Sequence, residues 1–223
     1  MHSLQQAAGG FFNGFAKFIS FFGELGWFFI VLALVFMLFK RMRREGLAMA
    51  FALFIGAVIT NILLKNIVGR ARPFTREGTP FEQWWLAAGQ SPENSASFPS
   101  GHTTAAFASM VAFFIIGNKR YSWTGLVFAF IMALSRIYLI VHYPTDVIAG
   151  IIVGTAAGIC GALLSNLIYK KARGKFGELL KNFSIITFLK RLFSKKNRDE
   201  QIESDESEVL SQTQTDENNT ENI

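Results

Sequence analysis

Apolar residues in this chain gather into long runs separated by short polar stretches, many of them basic. The runs extend over about Glu24 to Phe39, Gly46 to Val68, Ser100 to Gly117, Trp123 to Val141 and Thr145 to Tyr169. Each is near the roughly 17–25 residues that a helix needs to cross a bilayer. A helix meets its backbone hydrogen bonds within one segment, as a lipid environment requires. The pattern therefore predicts an all-α, integral-membrane helical bundle with five clear transmembrane helices. The first run has an alternative start near Phe18. Phe11 to Phe22 is Phe-rich but interrupted by Gly14, Lys17 and Ser20, and reads as an interfacial helix on the outer leaflet. A sixth, short span is the alternative.

The polar pattern divides the chain further. Residues 1–23 form the N-terminal interfacial or partly inserted segment, and residues 24–170 the transmembrane unit. Residues 171–198 are basic; from Phe176 to Phe193 the apolar positions recur at helical spacing with lysines between, which fits an amphipathic helix on the cytoplasmic leaflet. Residues 199–223 are acidic, rich in Ser, Thr and Asn and without aromatics, the composition of a disordered tail.

Composition agrees with a membrane protein. Of 223 residues, 51% are hydrophobic and 17% charged, and 24 are phenylalanine. A soluble domain of this length rarely carries so little charge. The net charge of +6 is uneven, because Lys and Arg cluster after the apolar runs. That is the positive-inside pattern, and it argues against nucleic acid as a partner. The single cysteine, Cys160, sits in the last apolar run and reads as a small packing residue. The first 16 residues contain no Lys or Arg, so no cleavable signal peptide is evident.

Basic clusters at Lys40–Arg44, Lys119–Arg120 and Lys170–Lys175 orient those loops toward the cytoplasm. The loops after the second and fourth spans then face outward. Arg70, Arg72 and Arg76 lie on that outer side against the rule, as arginines that bind phosphate would. The outer loop also holds Pro80 to Leu86, a short interfacial helix whose Trp84 and Trp85 suit the headgroup zone. Anchoring the loop is the preferred role for these tryptophans, and sideways admission of a lipid the alternative.

The chemistry-bearing residues fall in three segments at the outer ends of the spans. Lys65 and Arg72 are seven apart, about two helical turns, which puts both on one helix face before Pro73 stops the helix. An ammonium and a forked guanidinium are complementary donors to a phosphoryl group. Snorkelling to the headgroups would explain either cation alone. Ser100 is a natural N-cap, and Gly101 leaves backbone N–H groups open at a helix start, where an anion is favoured; His102 follows in the first turn. An ordinary cap with an interfacial histidine would explain this segment by itself. Arg136 and His142 close the fourth run, Pro144 suits the first turn of the next helix, and Asp146 can reach back to the His142 ring. A carboxylate on one ring nitrogen sets the tautomer and leaves the other as a nucleophile. Two of the chain's 3 histidines lie in these segments.

Together the segments Lys65-x6-Arg72-Pro73, Pro99-Ser100-Gly101-His102 and Ser135-Arg136-x5-His142-x3-Asp146 resemble the signature of the type 2 phosphatidic acid phosphatase (PAP2) superfamily, matched at every position. The resemblance implies a PAP2-like helical core and a phosphatase without a cofactor or metal. It implies that His142 attacks phosphorus to form a phosphohistidine, that Asp146 orients His142, and that His102 protonates the leaving oxygen and then activates water. Lys65, Arg72, Ser100, Gly101 and Arg136 would bind the phosphoryl oxygens. The implied substrate is a lipid phosphate or diphosphate, and the compact chain is similar to bacterial members in the cell membrane. Undecaprenyl diphosphate is the preferred substrate by analogy, with phosphatidylglycerophosphate or phosphatidate as alternatives. From other classes, a lipid phosphotransferase would share every site residue. An anion transporter would explain Lys65 and Arg136 but not the spacing of His142 and Asp146, and an inactive headgroup-binding scaffold would not need the full set.

Overall fold

The computed structural model describes residues 2–91, 93–172 and 194, with side chains from residue 10 onward. Apart from Lys171, Ala172 and Ser194, the expected amphipathic segment 171–198 and acidic tail 199–223 lie outside the described residues. Helix α1 (His2–Phe21) leads through a turn into α2 (Trp27–Leu38). Helix α3 (Arg43–Ala57) continues as a π-helical stretch, Val58–Leu64, and one further turn, α4 (Lys65–Val68). After the short α5 (Phe81–Ala87) come α6 (Gly101–Ile116), α7 (Lys119–Tyr138) and α8 (Pro144–Lys171). Among the described residues, three stretches, Gly10–Leu38, Arg43–Thr75 and Pro144–Lys171, are long and apolar enough to cross a membrane, and α6 is a shorter apolar helix.

The turn between α1 and α2 explains why α2 starts at Trp27 rather than Glu24. Gly26 adopts φ 70°, a left-handed conformation that suits glycine and breaks the helix. The short helix expected around Trp84 and Trp85 is present as α5.

Helices α3, α6 and α8 form the centre of the bundle, joined by α2 and α7, around buried Phe29, Met49, Phe107 and Met132. Their backbones approach closely at small residues. A Cβ on Gly154 would stand 2.7 Å from the Thr104 carbonyl oxygen, and one on Gly161 2.5 Å from that of Ala48. Small residues at such crossings are the usual means of helix packing where hydrophobic collapse offers no drive. The same contacts set direction: Gly150 meets Ser100 and Gly158 meets Val111, so α6 and α8 are parallel. Gly161 meets Ala48 and Ala157 lies near Gly56, so α3 runs opposite to α8. This gathers the ends of α4 and α7 with the starts of α6 and α8 at one end of the bundle. The basic turns lie at the other, where Arg44 donates to the Asn166 side chain at 3.0 Å.

Candidate active site

The first signature segment is built differently from its expectation. Helix α4 ends at Val68, Gly69 turns left-handed at φ 56°, and Arg72 is extended (φ −78°, ψ 155°). Proline disfavours helical geometry in the residue before it, so Arg72 leaves the helix before Pro73 begins a 3₁₀ turn. Lys65 and Arg72 therefore do not share a helix face. They converge through space on Ser95, whose Oγ accepts from Lys65 Nζ at 3.0 Å and from Arg72 Nη2 at 3.2 Å. The stretch before Lys65 is π-helical, where the apolar run predicts a regular α-helix. Its last bond runs from Lys65 N–H to the Thr60 carbonyl, five residues back, and Asn61 and Lys65 both face the cavity below. Such wide turns are frequent at functional sites.

The second segment opens α6 as expected. Ser100 is fully buried and its Oγ caps the helix, accepting from the Thr103 amide at 3.4 Å and the Thr103 hydroxyl at 2.9 Å. A Cβ on Gly101 would lie 3.9 Å from Lys65 Nζ, which brings these two residues together. The His102 ring packs against the α1–α2 turn. A Cβ on Gly23 would stand 2.5 Å from His102 Cδ2, so the turn leaves room for the ring only because residue 23 is glycine.

The third segment places Arg136 in the last turn of α7, His142 in the connection, and Pro144 and Asp146 in the first turn of α8. Arg136, His142 and Asp146 are all buried. Nδ1 of His142 lies 3.6 Å from Asp146 Oδ2, longer than a hydrogen bond. Ser97 lies beside this pair: its hydroxyl donates to Asp146 Oδ2 at 2.5 Å and stands 3.4 Å from His142 Nδ1. Oδ2 also accepts the Tyr143 amide at 3.0 Å, and Oδ1 accepts from Arg70 Nη1 at 2.8 Å. The other ring nitrogen, Nε2, lies 3.4 Å from Arg72 Nη1. Burial pushes the His142 imidazole down to about 4, with the Arg136 and Arg72 charges adding to the effect and Asp146 opposing it.

One carboxylate joins the cations. Glu93 accepts from Arg72 Nη2 through Oε2 at 3.1 Å and from Arg136 Nη2 through Oε1. Arg72 also donates to the carbonyls of Ser95 at 2.8 Å and Val141 at 3.0 Å. Arg136 reaches back to the Ser20 hydroxyl of α1, while its buried Nε has no partner among the described residues. Helix α1 is thus docked onto the site, with Asn13 joining Tyr138 and the Ala87 carbonyl, both at 2.8 Å. A cavity of about 710 Å³ opens beside these groups. Lys65, His102, Glu93 and Arg136 line its polar part, and Ile30, Leu53 and Ala57 its apolar part.

A family model described as the PAP2 superfamily matches residues 45–171. The chain belongs to this superfamily. It is 34% identical over 145 residues to a decaprenylphosphoryl-5-phosphoribose phosphatase of Mycobacterium tuberculosis, covering 64% of this chain and 75% of that protein. It is 28% identical over 144 residues to an undecaprenyl-diphosphatase of Sulfolobus acidocaldarius, covering 64% of this chain and 66% of that protein, slightly less than two thirds. The fold is similar to the crystal structure of a transmembrane PAP2-type phosphatidylglycerolphosphate phosphatase from Bacillus subtilis, with a TM-score of 0.58 and 21% identity over 76% of this chain and 84% of that one.

The protein is therefore a PAP2 phosphatase, a hydrolase, and a membrane protein. In this PAP2 fold every signature residue lies at the same end of the bundle. Arg70, Glu93, Ser95, Ser97 and Ser20 join them without belonging to the signature. Arg70 carried a signal, as a cation on the side where basic residues are scarce. Glu93, Ser95 and Ser97 sit in a polar loop whose composition marks a turn and nothing more.

Proposed function

We propose that the protein hydrolyses a lipid phosphate or diphosphate in two steps through a phosphohistidine. His142 Nε2 attacks phosphorus, the N–P bond forms, and the bond to the leaving oxygen breaks as His102 supplies its proton. Water, deprotonated by His102, then attacks the phosphohistidine and releases phosphate. Asp146 stabilises the charge that develops on the His142 ring. Lys65, Arg72, Arg136 and the Gly101 N–H bind the non-bridging oxygens and stabilise the transition state, and Ser100 supports them by capping α6.

The observation that carries this reading is the grip of Arg72 and Arg136 on one carboxylate, Glu93, beside Nε2 of His142. Two buried guanidinium groups that hold a carboxylate together are spaced for a phosphoryl group, which offers the same kind of acceptors. Arg136 Nε, without a partner among the described residues, is a further donor. On this reading the incoming phosphoryl group displaces Glu93. The apolar part of the cavity, along Ile30, Leu53 and Ala57, suits a lipid chain whose head enters at Lys65 and His102.

Undecaprenyl diphosphate is the substrate this reading favours, supported by the polyprenyl substrates in the names of the two relatives above. The separation of the site from the basic turns fits an active site on the extracytoplasmic face of the cytoplasmic membrane, with the C-terminal tail inside. The test is phosphate release by purified protein from undecaprenyl diphosphate, phosphatidylglycerophosphate and phosphatidate, with His142→Ala as the blank. Preferred release from the prenyl diphosphate is the expected result. A preference for either glycerolipid would reassign the substrate, and unchanged release by His142→Ala would overturn the nucleophile.

A further inference from the structure

Asp146 is fully buried, and its two oxygens have separate duties. Oδ2 serves the His142 side, taking the Ser97 hydroxyl and the Tyr143 amide. Oδ1 takes Arg70 Nη1 at 2.8 Å. An ionised carboxylate at such a depth needs a cationic or hydrogen-bonded partner on each side, and its own Cβ–Cγ torsion is soft. Whatever holds Oδ1 therefore sets the angle at which Oδ2 meets the imidazole.

Arg70 is built to hold it. The same Nη1 donates to Thr145 Oγ1 at 2.8 Å, and the guanidinium lies over the Tyr143 ring at 4.1 Å. The Arg70 carbonyl accepts the Ser97 amide at 2.8 Å. One residue thus ties the chain after α4 to the loop that supplies Ser97 and to the start of α8. Two residues later, Arg72 stands 3.4 Å from the opposite ring nitrogen of His142. A single short segment governs both sides of the imidazole.

We propose that Arg70 is a positioning residue for the phosphatase reaction, acting on His142 through Asp146 and not through the phosphoryl group. The inference rests on the reading of His142 as nucleophile. It assigns Arg70 a part distinct from that of Lys65, Arg72 and Arg136, because its guanidinium is committed to the carboxylate oxygen that does not face His142.

The assignment separates kcat from KM. A residue that only orients the nucleophile lowers kcat with substrate binding preserved, whereas a phosphate-binding cation also raises KM. The Arg70 side chain is 37% exposed, so a small cation from solvent can reach the space left by its removal. The experiment uses the full chain in detergent, with undecaprenyl diphosphate and phosphatidate as the probes. Arg70→Ala should lower kcat by about 10- to 100-fold, the range seen when a residue that orients a metal-ligating side chain is lost, with KM little changed. Added guanidinium ion should restore part of the lost kcat to Arg70→Ala. If Arg70→Ala does not fold, Arg70→Gln is measured by the same kcat and KM criterion. A folded variant with wild-type kcat, or one whose KM rises while kcat holds, would overturn the inference. His142→Ala is assayed alongside: if it turns over, the underlying reading fails, and if it is inactive while Arg70→Gln is normal, only the role of Arg70 fails.

Discussion

The Ser97 hydroxyl donates to Oδ2 of Asp146 at 2.5 Å, and this is the oxygen that faces Nδ1 of His142. The carboxylate therefore divides its attention between a hydroxyl and an imidazole 3.6 Å away. Ser97 is completely buried, so its hydroxyl has no solvent to turn to. Ser97→Ala should remove a charge-assisted hydrogen bond, of the class worth about 1.5–3 kcal/mol, and leave Oδ2 of Asp146 held by the Tyr143 amide alone. The expected outcome is kcat lower by roughly tenfold or more with KM preserved. Unchanged steady-state kinetics in a folded Ser97→Ala protein would remove Ser97 from the site.

Glu93 occupies the two guanidinium groups that the proposed reaction needs for phosphate and offsets one of their two positive charges. A ligand that must displace it sees an affinity reduced by the fraction of time the cations are free. Glu93→Gln keeps the shape and removes the charge. Inhibition by orthovanadate, a tetrahedral oxyanion, should then tighten, by about tenfold for each 1.4 kcal/mol of lost competition. Weaker vanadate inhibition in Glu93→Gln would mean that Glu93 helps to form the anion site.

The His142 imidazole is held down to about 4, against an ordinary value of 6.5, chiefly by burial. Its neutral form should persist as the pH falls through 6.5 and protonate only as the pH approaches 4, so the Nε2 lone pair remains available across the neutral range. Ring ¹³C–¹H signals in micelles, assigned by comparison with His142→Ala, would report this directly. No titration of the His142 signal above roughly pH 5 is expected; a midpoint near 6.5 would contradict it.

Orientation is testable without activity. With Cys160 replaced first, Gln83→Cys in α5 should react with a membrane-impermeant thiol reagent added to intact cells. Labelling only after lysis would put the site on the cytoplasmic face.

Much of this molecule is written locally. Apolar runs of spanning length specify helices because lipid leaves the backbone no other partner. The spacing of His102, Arg136, His142 and Asp146 marks a reactive constellation because Ser100 and Pro144 start helices at those points. The sequence also carries the small residues, such as Gly154 and Gly161, that let the helices meet. Local pattern failed where a partner comes from a distant segment. Lys65 and Arg72 meet without sharing a helix face, since Pro73 forces Arg72 out of the helix and Ser95 brings the two cations together. Glu93, Ser95 and Ser97 have no periodicity or composition that separates them from any polar loop. Only the tertiary structure decided that Glu93 bridges Arg72 and Arg136, that Ser97 stands beside His142 and Asp146, and that Arg70 holds the far carboxylate oxygen. Those relations depend on helix crossings and on the path of a loop, and buried charges select their partners only after the chain has closed around them.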